Sequence, residues 1–214
     1  MPELLIIGTG GLAKEAAQLA WRIDPAGARW SQISYVTDDE KQLGTLLPFG
    51  KVRYGDAEVQ QRKQPADVVI GVGHPSPRRA IAQRLLGNSA LNYPNLIHPA
   101  LEIDPHHVAL GIGNMITQGV VMTCDIRIGD FNLFNWNTSI GHDSRIGSFN
   151  VINPGCCVSG AVEVGDACLL GTGCRVLEGL QIASNSTLGA GTVVTRSIVK
   201  PGVYVGVPAR WLKA

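Results

Sequence analysis

Residues 139–158 read SIGHDSRIGSFNVINPGCCV, and the spacing of their aliphatic side chains decides the fold. Ile140, Ile146, Ile152 and Val158 stand six residues apart. The same step reaches back through Phe134, Ile128, Met122 and Ile116 to Leu110, and forward through Val164, Leu170, Val176, Ile182 and Leu188 to Val194, with an apolar residue at every stop. The next residue is nearly always small or turn-forming, as at Gly111, Gly129, Gly141, Gly147, Gly165, Gly171 and Gly189, with Leu177 the clear exception. Two residues before each apolar position stand mostly small or β-branched residues, including Asn132, Thr138, Ser144, Cys156, Cys168, Cys174 and Thr192. A strict period of six is the signature of a parallel β-helix.

The geometry behind that signature is simple. Each hexad supplies one short strand and one corner, and three hexads close a triangular coil of eighteen residues. Large aliphatic side chains then stack from coil to coil at about 4.8 Å, while the small partner fills the space beside them. The hexads from 110 onward make about five coils, a prism about 24 Å long. The corner glycines are expected to be largely architectural, serving tight turns. Spacing does not set the hand of the coil, and the general preference for crossovers is right-handed.

Upstream of the repeat, residues 1–95 alternate strand and helix. Leu4–Gly8 is an apolar run closed by Gly-Thr-Gly-Gly, and Leu12–Ile23 places Leu12, Ala16, Leu19, Ala20 and Ile23 on one helical face. Ile33–Val36 reads as a second strand ending at Asp38-Asp39. A weaker helix near Asp56–Lys63 precedes a buried strand over Asp67–Val72, which runs out into Gly73. Arg78–Leu86 is a helix with Pro77 in its first turn. This pattern predicts a small parallel sheet with helices on its faces, of Rossmann-like build. The expected organisation is therefore an α/β domain over 1–95 followed by an all-β, β-helical domain over 96–214.

Composition sets the outer bounds. The chain has 214 residues, 26 of them Gly, with 45% hydrophobic content and a net charge of +1. Those values exclude an intrinsically disordered chain, and no apolar run is long enough to span a bilayer. No secretory signal is visible, so a soluble cytoplasmic protein is expected. A balance of 18 basic and 17 acidic side chains argues against nucleic acid as a partner. The charges are nonetheless segregated: after Glu178 there is no acid, but Arg196, Lys200, Arg210 and Lys213 follow. Such a tail suits either a phosphorylated ligand or simple solvation.

All five cysteines lie in the repeat. Cys156, Cys168 and Cys174 hold the small inward position, and no CxxC appears, so neither disulfides nor zinc is expected. The His106-His107 pair precedes the first coil, but a metal-dependent prism enzyme would need further spaced histidines, and only His142 is available. His74 and His98 read as loop and packing residues. His142 differs, because it stands one residue past the corner Gly141 and is followed at once by Asp143. An imidazole projecting from a rigid corner with a carboxylate beside it has what a general base needs, although a solvated turn histidine has the same local sequence. In the amino-terminal turn, Gly8, Gly10 and Gly11 free helix N–H groups for an anionic or hydroxyl-rich ligand. Gly8-x-Gly10-x-x-Ala13 also satisfies the relaxed dinucleotide pattern, with Asp38 where a ribose could bind. Any strand-to-helix turn needs glycines, so that match is weak by itself.

In order along the chain, Gly8-Thr-Gly-Gly-Leu-Ala-Lys-Glu15, Asp38-Asp39, Asn95-Leu-Ile-His-Pro99, Ile140-Gly-His-Asp143 and Gly206-Val-Pro-Ala-Arg210 resemble one family. It is that of the sugar acyltransferases of the sialic-acid O-acetyltransferase type and their close relatives, the bacterial N-acetyltransferases of nucleotide-linked amino sugars. The resemblance covers nearly the whole chain. It implies a left-handed coil, a homotrimer with active sites between adjacent prisms, and acetyl-CoA as co-substrate without a metal. By the same resemblance His142 is the base, Asp143 the carboxylate supporting it, and Gly160 a glycine whose N–H faces the thioester oxygen. Some relatives carry a second, cofactor-contacting histidine where this chain has Val151, which leaves coenzyme contacts to backbone and to Thr172 and Ala190. The nucleotide sugar is implied to lie against Gly10, Gly11, Leu12 and Gly73, with Asp38 and Asp39 as candidates for ribose or base contacts. Leu12 replaces the larger polar residue that relatives often carry, so the sugar itself is left open. The expected activity is N-acetylation of a nucleotide-linked amino sugar in bacterial glycan biosynthesis. O-acetylation of a sialic-acid-like sugar is the alternative within the class. An NAD-binding module on a trimerising β-helix, or a non-catalytic scaffold, is the alternative outside it.

Overall fold

A computed structural model of the chain describes residues 1–212. It forms two compact units, residues 1–73 with 77–99, and residues 100 onward with 74–76.

The first unit is a six-stranded sheet. Its strands are β1 (Glu3–Ile7), β2 (Ile33–Thr37), β3 (Leu46–Leu47), β4 (Gly50–Gly55), β5 (Ala66–Ile70) and β6 (Leu91–Asn92), in the order β3-β4-β2-β1-β5-β6. All neighbours pair in parallel except the β3–β4 hairpin. β1 is central and buried along its whole length, as a near-continuous apolar run requires when both faces of a parallel sheet are covered. Helix α1 (Gly11–Ile23) buries Ala13, Ala16, Ala17, Leu19 and Ala20. Small side chains let it lie close to the sheet: a Cβ at Gly71 would stand 2.7 Å from the Ala13 Cα.

Three details depart from the sequence reading. The helix expected over 56–63 is only Asp56–Gln60 (α2), since the chain must be extended before Pro65. Helix α3 spans Pro75–Leu85 and so begins two residues before Pro77. The hairpin over 46–55 was not foreseen. Its turn holds Phe49 at φ 65°, a conformation that sequence patterns assign to Gly or Asn.

The second unit is the expected prism. The first face stacks Met115–Ile116, Leu133–Phe134, Val151–Ile152, Leu169–Leu170, Thr187–Leu188 and Val203–Val205. The second stacks Val121–Met122, Ser139–Ile140, Cys157–Val158, Arg175–Val176 and Val193–Val194. The third stacks Val108–Leu110, Ile126–Ile128, Arg145–Ile146, Glu163–Val164 and Gln181–Ile182. Up to Val193–Val194 each rung pairs in parallel with the residue eighteen positions on, such as Ile140 with Val158 and Val158 with Val176. The last pairings, Leu188 with Tyr204 and Ile182 with Ile198, step by sixteen. The hexad residues from Ile116 to Val194 are buried.

The corner glycines do a different job from the one expected. The left-handed backbone falls two residues later, at Gly119, Asp125, Phe131, Asn137, Asp143, Phe149, Gly155, Ala161 and their equivalents. Gly129, Gly147 and Gly171 have ordinary φ, but a Cβ on any of them would stand within 2.9 Å of the backbone of the next coil. They are glycines because successive coils approach so closely.

Inside the prism the Asn residues form a ladder. Asn132 N–H and side-chain amide donate to Asn114 Oδ1 at 2.8 and 3.0 Å. Asn150 N–H donates to Asn132 Oδ1 at 2.8 Å, and Cys168 N–H to Asn150 Oδ1 at 2.7 Å. The coils end on cross-bonds from the tail. Val193 N–H donates to Gly206 O and Ala209 N–H to Val193 O, Ile198 bridges Ile182, and Arg210–Trp211 pairs antiparallel with Val203–Val205.

Candidate active site

The most chemically loaded corner lies between the second and third faces of the prism. Residues eighteen apart stack there as Cys124, His142, Gly160 and Glu178. The register is fixed by Asp143 N–H to Cys124 O (3.1 Å), Ala161 N–H to His142 O (2.7 Å) and Gly179 N–H to Gly160 O (3.0 Å). His142 Nδ1 lies 2.8 Å from Asp143 Oδ2. An ionised carboxylate only accepts, so Nδ1 carries the proton and Nε2 presents a lone pair. Asp143 reaches the ring because its own backbone turns left-handed, at φ 59°.

The ring lies across the next rung. A Cβ at Gly160 would stand 2.6 Å from both Cε1 and Nε2 of His142 and 3.0 Å from Nδ1. Gly160 therefore supplies the bare α-carbon over which the imidazole rests. Its amide donates to no acceptor among the described residues, whereas those of Ser159 and Ala161 are both engaged in the ladder. About half of each side chain, His142 and Asp143, is exposed, so a ligand can reach them. The Asp143 hydrogen bond, reinforced by the Asp143 and Glu178 charges, raises the imidazole pKa above its ordinary 6.5.

The other expected coenzyme contacts are elsewhere. Thr172 and Ala190 are exposed, but they stack with Trp136 and Pro154 on the corner between the first and second faces. A whole face separates them from His142. Val151, the candidate coenzyme neighbour standing where some relatives carry histidine, is wholly buried on the first face and offers a coenzyme no surface, so it is withdrawn from the coenzyme contacts. Arg196, Lys200 and Arg210 are exposed, while Lys213 lies outside the described residues.

In the first unit the expected ligand-facing turn sits at the carboxyl ends of β1, β2 and β5. Gly8 has φ 107°, which an L side chain rarely adopts. Gly10 and Gly11 are exposed, at the start of α1, and a Cβ on either would meet nothing within 4 Å. Nothing in the chain's own packing calls for glycine there. Leu12 abuts Gly73, 3.4 Å from where its Cβ would be. The two aspartates differ. Asp39 caps the short helix Glu40–Gln42, accepting from Lys41 N–H at 3.1 Å, whereas Asp38 is exposed with no hydrogen bond among the described residues. His74 is exposed, and His98 is buried beside Arg22, its Nε2 3.3 Å from Arg22 Nη1.

Among the described residues no group of three His, Cys, Asp or Glu side chains could hold a metal ion. No described helix is long and apolar enough to cross a membrane. Cys156, Cys168 and Cys174 are buried free thiols, pushed up to about 11, 11 and 12 by desolvation. They are fillers, not nucleophiles.

Residues 3–85 match the family described as the PglD N-terminal domain. Over its whole length the chain has the fold of the β-helix sugar acetyltransferases, and its parallel coils are consistent with the left-handed type. The similar structures are specific. A His-to-Asn mutant of perosamine N-acetyltransferase from Caulobacter crescentus, in complex with CoA and GDP-perosamine, is 26% identical with a TM-score of 0.86, covering 100% of this chain and 98% of that one. The acetyltransferase domain of PglB from Neisseria gonorrhoeae, in complex with acetyl coenzyme A, is 26% identical with a TM-score of 0.88, covering 98% of each chain. WeeI from Acinetobacter baumannii, 23% identical with a TM-score of 0.86, covers 99% of this chain and 100% of its own and shares the fold. None of the curated protein sequences matches this chain.

Proposed function

We propose that the protein is an acetyl-CoA-dependent N-acetyltransferase of a nucleotide-linked amino sugar, with His142 as its base. The observation that carries the reading is the imidazole held by Asp143 and laid over Gly160, its free nitrogen beside an unengaged backbone N–H. The CoA, acetyl-CoA and GDP-perosamine complexes of the similar enzymes support the substrate classes. The acceptor amine, once neutral, attacks the thioester carbonyl carbon, and the oxygen of the tetrahedral species takes the negative charge. The Gly160 N–H is the donor for that oxygen. His142 Nε2 takes the proton from the new C–N nitrogen, the C–S bond breaks, and the imidazolium returns the proton to the departing CoA thiolate. Asp143 stabilises the imidazolium between those two transfers.

The nucleotide end of the acceptor belongs to the turn at Gly10, Gly11, Leu12 and Gly73, where unpaired helix N–H groups suit phosphate. Asp38, free of local hydrogen bonds, is the candidate for the ribose or base. Thr172 and Ala190 lie one face away from His142, so adjacent prisms packed side by side would set one copy's Thr172 edge against another's His142 edge. That geometry favours a homotrimer with the coenzyme between prisms.

The test is turnover of acetyl-CoA with GDP- and UDP-linked amino sugars. His142→Ala should lose about three orders of magnitude in kcat while melting as the wild type does; near-wild-type turnover would sink the mechanism. In the wild type, kcat/KM should fall as pH drops through the raised imidazole pKa, because only the neutral ring is a base. The midpoint of that fall should lie above 6.5 and move down in Asp143→Asn.

A further inference from the structure

Beyond the charge it lends to His142, Glu178 has no part in that mechanism, yet it stands on the same corner, one rung beyond Gly160. The ladder bonds of Ala161 to His142 and of Gly179 to Gly160 fix this placement. Because the imidazole covers Gly160, the ring of His142 occupies the first rung interval. The exposed carboxylate of Glu178 closes the second, about 5 Å further along the edge. The interval between them has a base at one end, a carboxylate at the other, and a residue without a side chain as its floor. Beside it stands Leu177, the one bulky side chain in a corner position otherwise held by small residues, and it is 47% exposed.

The charges around the interval are unequal. Asp125, one rung below and 3.4 Å from His107 Nδ1, and Asp143 and Glu178 belong to the corner, while Arg127, Arg145 and Glu163 stand on the third face and Arg175 on the second. Arg175 is turned back onto Gly173 O, at 2.9 Å. The near end of the acceptor therefore meets carboxylates.

We infer that Glu178 selects the acceptor: its carboxylate receives a primary amine in its ammonium form and holds it in the interval between itself and the His142 ring, facing Nε2. An amino sugar near neutral pH is largely cationic, and a charge-assisted hydrogen bond to carboxylate holds it more firmly than it holds a neutral hydroxyl. A carboxylated sugar would be repelled from the same place. The ammonium gives one proton to solvent before attack, and His142 takes the second as the C–N bond forms. Amine acetylation is thereby favoured over ester formation by a residue the reaction itself does not consume. The inference rests on the proposed acetyltransfer and adds to it the choice of nucleophile.

The experiment compares wild type, Glu178→Gln and Glu178→Asp with acetyl-CoA and GDP-perosamine. Glu178→Gln should raise the KM for GDP-perosamine about tenfold at pH 7 and leave that for acetyl-CoA within about twofold. The effect should fade above about pH 9, where the amine is neutral without help, and Glu178→Asp should recover most of it. An active wild type whose acceptor KM is unchanged by Glu178→Gln, or changed equally at every pH, overturns this inference and leaves the acetyltransfer standing. A wild type that acetylates no nucleotide-linked amino sugar overturns both.

Discussion

Gly160 is a glycine for a steric reason that stands apart from any role of its N–H. Its φ is ordinary, so alanine would suit the backbone, yet an alanine methyl would fall 2.6 Å from the imidazole. Gly160→Ala should therefore fold and melt like the wild type but lose about a hundredfold in kcat, because a catalytic ring displaced by about 1 Å no longer meets its substrate in line. A crystal structure of that variant with the ring unmoved would refute the argument. The signal was available in the sequence, since 142 and 160 differ by one coil of eighteen. What a sequence does not contain is the rotamer that lays the ring along the edge. Asp38 and Asp39 teach the same lesson, because two adjacent aspartates read alike until one is found capping a helix and the other is not.

Among elements, the prism was legible because its period repeats in fifteen hexads, and each repeat excludes a shift of register. The hairpin over 46–55 was not, because two-residue strands and a phenylalanine in a left-handed turn leave no periodic trace. The Asn ladder lay between these extents. Asn132 reads as a small inward residue, but its side-chain carbonyl accepts from the backbone of the next coil and its side-chain amide donates to the Asn114 side chain of the one before. Asn132→Ala should cost about 2–4 kcal/mol, more than its lost contacts alone, because the buried Asn150 N–H is left without its acceptor and Asn114 Oδ1 loses one of its two donors. The midpoint of urea unfolding measures it. A change under about 0.5 kcal/mol would mean that water enters and replaces the amide.

At the scale of the molecule, two corners carry the groups assigned to one reaction, and a single prism keeps them a face apart. Sedimentation equilibrium should then give three times the 22.7 kDa of one chain, and a monomer with full turnover would remove the need for a neighbour. Length and composition could not have supplied this, since the separation appears only when hexads are wound into coils. The tail has a separate importance. Every coil presents the next with a set of unpaired backbone groups, so a prism of parallel rungs is a template as much as a fold. Residues 198–212 occupy that template at all three faces: Ile198 on the third, Gly206 and Ala209 on the second, and the reversed strand Arg210–Trp211 on the first. Without them the last coil would offer a growing end to any other chain with the same spacing, and the protein would be a seed for fibres.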